Sequence, residues 1–86
     1  MSKRKHGEIL RDIFAQPVHA NVRWSDIESL LEFLGAEIGE GKGSRVRVAL
    51  KGVRAVFHRP HPERTTDKGA LKSVRRFLIE AGVRPE

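Results

Sequence analysis

The sequence contains no cysteine, which excludes a disulfide framework and any metal site built on thiolates. No apolar run approaches the ~18 residues that a membrane-spanning helix needs. The opening Met1-Ser2-Lys3-Arg4-Lys5 leads into a charged helix rather than the apolar core of a secretion signal, and a soluble cytoplasmic protein is expected. Asp12, His19, His58 and His61 lack ligand spacing and a third partner, so no metal is expected. The glycine-rich stretch Glu40-Gly41-Lys42-Gly43-Ser44 lacks the Gly-Lys-Ser/Thr ending and the following helix of a P-loop. No strand-turn-helix elbow surrounds Ser44 to make it a nucleophile. Length excludes more: 86 residues make one domain, and a chain this short buries only roughly 60–65% of its unfolded surface. An internal cofactor cavity would consume most of the core, so no cofactor is expected and the site belongs on the surface.

What the chain has in excess is positive charge. The formal net charge is +6 and the pI about 10.5, a potential that attracts polyanions. The charge is segregated: from Arg45 onward there are eleven Lys/Arg against four acids, whereas 26–40 holds five acids and no base. Solubility alone does not call for such segregation, and nucleic acid is the leading partner class.

Ile9, Leu10, Ile13 and Phe14 recur at helical spacing and predict a first short helix over His6–Ala15, ended by Pro17. Asn21-Val22-Arg23-Trp24 is a short extended lead-in. Ser25 with Glu28 three residues on reads as a capping box opening a second helix, with Ile27, Leu30, Leu31 and Leu34 on one face and Gly35 as its stop. Asp26 and Glu28 suit the positive end of that helix and are read as structural carboxylates. Trp24 is read as a core anchor. Ala36–Gly39 is a candidate short strand. A last helix is expected over Asp67–Ala81, capped by Thr66 or Asp67 and stopped by Gly82, with Ala70, Leu71, Val74, Phe77, Leu78 and Ala81 as its apolar stripe. Lys68, Lys72, Arg75 and Arg76 lie off that stripe.

The most informative stretch runs from Gly41 to His61. Arg45–Leu50 and Val53–His58 both alternate apolar and polar residues. If Lys51-Gly52 is a two-residue turn, Leu50 faces Val53, Val48 faces Ala55 and Val46 faces Phe57. All these apolar residues then share one side, a consistency that a slip by one residue would destroy. The other side pairs Ala49 with Arg54, Arg47 with Val56, and Arg45 with His58. The prolines of Arg59-Pro60-His61-Pro62 then end the strand.

The resulting order is α-α-β-β-β-α: an α+β fold with a three-stranded antiparallel sheet and helices on one face, similar to a double-stranded RNA-binding domain with an added N-terminal helix. A closer likeness rests on residues. Gly43-Ser44 before the second strand, Arg59-Pro60-His61 after the third, Lys68-Gly69-Ala70-Leu71-Lys72-Ser73-Val74 and Ala81-Gly82-Val83 resemble the HicA family of bacterial toxins. The likeness spans roughly Ser25 to Val83, which divides the chain into a helical extension, 1–24, and a HicA-like RNA-binding domain, 25–86. The resemblance implies a small toxin that cuts messenger RNA without a metal and is silenced by a HicB-type antitoxin.

In that family the histidine after glycine-serine is the residue held responsible for cleavage, and here that position is Arg45. Arginine stays protonated near neutral pH and cannot act as a general base. One reading keeps cleavage, with His58 across the ladder as base, since an imidazole ordinarily titrates near ~6.5, and Arg45 stabilising charge on the phosphate. His61 is the other candidate. The alternative keeps binding alone, as an RNA-binding module or as an interaction protein whose basic face meets an acidic partner. The expected RNA contacts are Lys42, Ser44, Arg47, Arg54, Arg59, Lys68, Lys72 and Arg75.

Overall fold

Lys51 and Gly52 take φ angles of 52° and 84°, the left-handed pair that a mirror-image two-residue hairpin turn requires. Gly52 adopts this without a Cβ clash, and the turn brings Leu50 opposite Val53. The computed structural model describes residues 3–18, 22–60 and 65–85. Its elements are α1 (Lys3–Ile13), α2 (Trp24–Phe33), β1 (Glu37–Glu40), β2 (Arg45–Leu50), β3 (Val53–His58) and α3 (Lys68–Glu80). The three strands form one antiparallel sheet in the order β1-β2-β3. The expected α+β class and the α-α-β-β-β-α order both hold, and every β2–β3 pair falls where the alternation of the sequence puts it.

The inner face of the sheet carries Val46, Val48, Leu50 and Phe57, all buried. Against it pack Ile27, Leu30 and Leu31 of α2, together with Leu71, Val74, Phe77 and Leu78 of α3. These recur at intervals of three and four, so each helix turns one stripe inward. Phe57 links the layers: its ring lies 6.0 Å from Trp24, tilted, and 5.8 Å from Phe77, edge-on. Helix α1 adds Ile9 and Ile13 to the same core. Its His6, also buried, stacks on Phe33 at 4.4 Å and lies 3.0 Å from the Ser29 hydroxyl through Nε2. Fully burying one large apolar side chain is worth about 1.5–3 kcal/mol and an exposed ion pair about 0–1 kcal/mol. The apolar layer therefore holds the fold, and the surface charges are free to serve other ends.

Several boundaries differ from expectation, each for a local reason. Helix α1 begins at Lys3 rather than His6, because lysine and arginine are good helix formers, and it stops at Ile13 rather than Ala15. Strand β1 starts at Glu37, not Ala36, because the Ala36 amide already donates to the Leu31 carbonyl at the end of α2 (2.9 Å). The capping box is not formed. Arg23 is the last extended residue, bridged to Thr65, and its carbonyl accepts the Asp26 and Ile27 amides. Ser25 thus lies inside α2, and no side chain caps the helix. Helix α3 runs one residue short of expectation at each end, and of the two expected caps Asp67 serves: its carboxylate accepts the Ala70 amide at 2.7 Å.

Arg75 is the larger correction to the picture of a basic helix face. It is half-buried and donates from Nε to the Ile13 carbonyl (3.0 Å) and from Nη2 to the Ala15 carbonyl (2.9 Å). A cation at a helix C-terminus satisfies carbonyls that have no partner within the helix, so Arg75 ties α1 to α3. Arg75→Met keeps the stem and removes both bonds. It should lower unfolding free energy by about 1.5–3 kcal/mol, read from urea denaturation of the whole chain.

Candidate nucleic-acid interface

The outer face of the sheet is built by parity. Residues 45, 47, 49, 54, 56 and 58 point away from the helices because 46, 48, 50 and 57 are buried beneath them. The Arg59 amide donates to the Ser44 carbonyl at 2.7 Å, which makes Ser44 and Arg59 a hydrogen-bonded pair. In an antiparallel ladder these alternate with non-hydrogen-bonded pairs, whose side chains approach most closely. Arg45–His58, Arg47–Val56 and Ala49–Arg54 are all of that close kind. The sheet thus brings Arg45 and His58 together, both exposed, at the end from which the glycine-rich loop projects.

That loop is compact. The Gly41 amide donates to the Arg45 carbonyl (2.9 Å) and the Arg45 amide to the Lys42 carbonyl (3.1 Å). A Cβ at Gly41 would meet the Arg45 Cβ at 3.1 Å and the Arg45 carbonyl oxygen at 3.3 Å, so any larger residue there requires the return to open by a few tenths of an ångström. Lys42 and Ser44 stand exposed at its tip.

Two shallow concavities flank this surface. One, about 700 Å³, lies on the outer face, where Arg47 and Arg54 frame Gly39, Ala49 and Val56. The other, about 450 Å³, runs between β3 and α3, where Arg54 lies with Lys72, Ser73 and Arg76, and Glu80 is the single acid. Lys68 is exposed one turn before Lys72 on α3. Arg76, absent from the expected contacts, belongs to this groove; its position four residues after Lys72 was a readable signal for that. Val56, 56% exposed, is an apolar residue among cations that alternation placed but composition did not single out.

Arg59 is differently occupied. Its Nε donates to Glu28 Oε2 at 2.7 Å, while Nη1 and Nη2 grip both carboxylate oxygens of Glu40 at 3.0 Å each. Glu28 Oε2 also accepts the Trp24 indole N–H. This arrangement explains the missing capping box, since charge-assisted bonds from a guanidinium are the stronger claim on the Glu28 carboxylate. It also confirms Glu28 as structural. Arg59 is held protonated even more firmly than a free arginine, first by Glu40 and then by Glu28. The Arg59 guanidinium in turn holds the Glu40 carboxyl below its usual range. Arg59 and Arg75 thus have donors taken by the protein, whereas Arg45, Arg54, Lys42, Lys68 and Lys72 make no such bonds among the described residues, and Arg47 makes one long contact, from Nη2 to the Glu40 carbonyl (3.4 Å). His61 lies outside the described residues.

No group of three or more His, Asp or Glu side chains gathers to hold a metal among the described residues. No described helix is long and apolar enough to cross a membrane.

Because the Glu40 carboxyl is depressed in the folded state, its contribution to stability is present above the unfolded carboxylate pKa and is lost as pH falls through the folded value. Glu40→Gln should therefore lower the melting temperature at pH ~7 and by a smaller margin at pH ~3, because protonation of the carboxylate weakens its hold on Arg59 as the pH falls. Thermal unfolding at the two pH values checks this.

The model of one protein family, described as "HicA toxin of bacterial toxin-antitoxin", matches residues 24–83. The match begins at the first residue of α2 and leaves α1 outside it. No curated protein and no solved structure matches the chain.

Proposed function

The chain belongs to the HicA toxin family, and from that premise we propose that it binds RNA across the outer sheet face and the β3–α3 groove and cleaves it without a metal. The observation that carries this reading is the close cross-strand pair of Arg45 with His58 on an uncovered, cationic face. Family membership makes the chain the toxin of a toxin-antitoxin pair with an antitoxin as its partner; a HicB-type antitoxin and messenger RNA as substrate are part of the proposal.

In the proposed reaction, His58 accepts the 2′-hydroxyl proton and the 2′-oxygen attacks the adjacent phosphorus. The bond to the 5′-oxygen breaks, that oxygen takes a proton from water, and a 2′,3′-cyclic phosphate remains. Arg45, permanently cationic, stabilises the charge gathering on the phosphoryl oxygens. The phosphate contacts are assigned to Lys42, Ser44, Arg47, Arg54, Lys68 and Lys72. Arg59 and Arg75 act from within the fold, by holding the strand end and the first helix. His61 is the second candidate for the proton transfer.

His58→Ala should reduce cleavage of a single-stranded RNA by about 10²–10⁴-fold while leaving RNA affinity and the unfolding midpoint nearly unchanged, with a chelator present throughout. Undiminished cleavage removes His58 as the base, and the same measurement on His61→Ala assigns or removes the other imidazole. The binding-only reading is favoured by one observation, the arginine at the family's histidine position. It predicts growth arrest by neither the parent nor His58→Ala.

Lys68→Ala combined with Lys72→Ala tests the phosphate contacts separately. The slope of log affinity against log salt should become shallower by about two units. An unaltered slope means that these lysines touch no phosphate.

A further inference from the structure

The strand order leaves one long edge of the sheet open. Hydrogen-bonded pairing with β2 uses the backbone groups of Val53, Ala55 and Phe57, so those of Arg54, Val56 and His58 point outward from β3. Among the described residues nothing pairs with them. The edge is six residues long and contains no proline or bulge, and at its middle stands the exposed, β-branched Val56. Such an edge is a template for another strand unless charge or cover prevents it.

Here the charge selects the occupant. The groove between this edge and α3 is lined by Arg54, Lys72 and Arg76 against Glu80. A second copy pairing β3 with β3 about Val56 would set Arg54 against His58 and bring two sets of these cations together, which like-charge repulsion opposes. An acidic strand meets no such opposition. In one added strand, alternate side chains would reach Lys72 and Arg76 on the α3 side, and the intervening ones would lie beside Val56 on the outer face.

We infer that the open edge of β3 accepts an acidic, extended segment of a protein partner as a fourth strand, its acids meeting Lys72 and Arg76. That this partner is the antitoxin rests on the toxin reading above. The fourth strand would pass directly beside His58, so the segment and RNA compete for one surface.

The test uses the whole chain and a short peptide of alternating glutamate and valine, with a lysine-valine peptide and a proline-interrupted peptide as controls. Amide exchange should slow by about tenfold or more at Arg54, Val56 and His58 on adding the glutamate-valine peptide and with neither control. Lys72→Glu combined with Arg76→Glu, both at exposed positions on α3, should weaken peptide binding by about tenfold or more without loss of fold. Absence of protection at the three edge amides overturns the inference. So does protection that grows with protein concentration in the absence of peptide, which makes a second copy the occupant, or protection by a short RNA and not by the peptide. A chain that arrests growth yet fails this test loses only the edge assignment. One that passes it without cutting RNA loses the cleavage reading and keeps the edge.

Discussion

Everything on the outer face depends on the parity of β2 against β3, which the Lys51-Gly52 turn sets. With φ of 52° and 84° at those residues, the strands leave the turn paired Leu50 to Val53 and cannot shift without reversing every side chain. In the observed parity four large apolar residues lie beneath the helices and Arg45, Arg47, Arg54 and His58 face outward. In the other parity those charged groups would enter the core, where each would carry a desolvation cost of several kcal/mol. Burial of the apolar face and assembly of the basic face are therefore one event.

The far end of the sheet has no such turn, and ion pairing supplies the constraint there. Arg59 joins the end of β3 to the end of β1 through Glu40 and to the N-terminal half of α2 through Glu28, with Trp24 fixing the same carboxylate. Two-point contact to Glu40 gives the guanidinium a defined plane, and Arg59 is the residue after His58. The short, acidic β1 thus neutralises a cation rather than adding to the basic surface. This is why the acids of 26–40 and the bases that follow do not simply sit on opposite sides of the molecule.

Local periodicity made most of this fold legible. The apolar stripes of the helices, the hairpin register and the Asp67 cap were all readable because each depends on residues a few positions apart. What could not be read were choices made between distant groups. Glu28 had two possible tasks, capping its own helix or receiving Arg59 from 31 positions away, and only the folded chain brings the stronger donor to it. Arg75, expected to contact RNA, instead meets carbonyls presented at the end of α1, 60 positions earlier. In both cases the partner that decides the role of a charged side chain lies far away in the sequence. The outer-face cations were assigned their places correctly because strand parity needs no knowledge of distant partners.

Parity also bears on the position that the resemblance sets against the family's histidine. That position is Arg45, and its neighbour across a close, non-hydrogen-bonded pair is His58. Directly opposed residues in such a pair have Cβ atoms about 4.5–5.5 Å apart on one face, less than the span of an extended arginine. Under the proposed function, an imidazole moved from one strand to the other still reaches the same phosphate, while the guanidinium takes the position it left. A transfer to Arg47 or Ala49, two and four residues along β2, would displace the base by about 7 Å or more along the strand. The ladder rung is therefore the step that moves the proton acceptor least, and it keeps an always-charged group beside it to stabilise the phosphate.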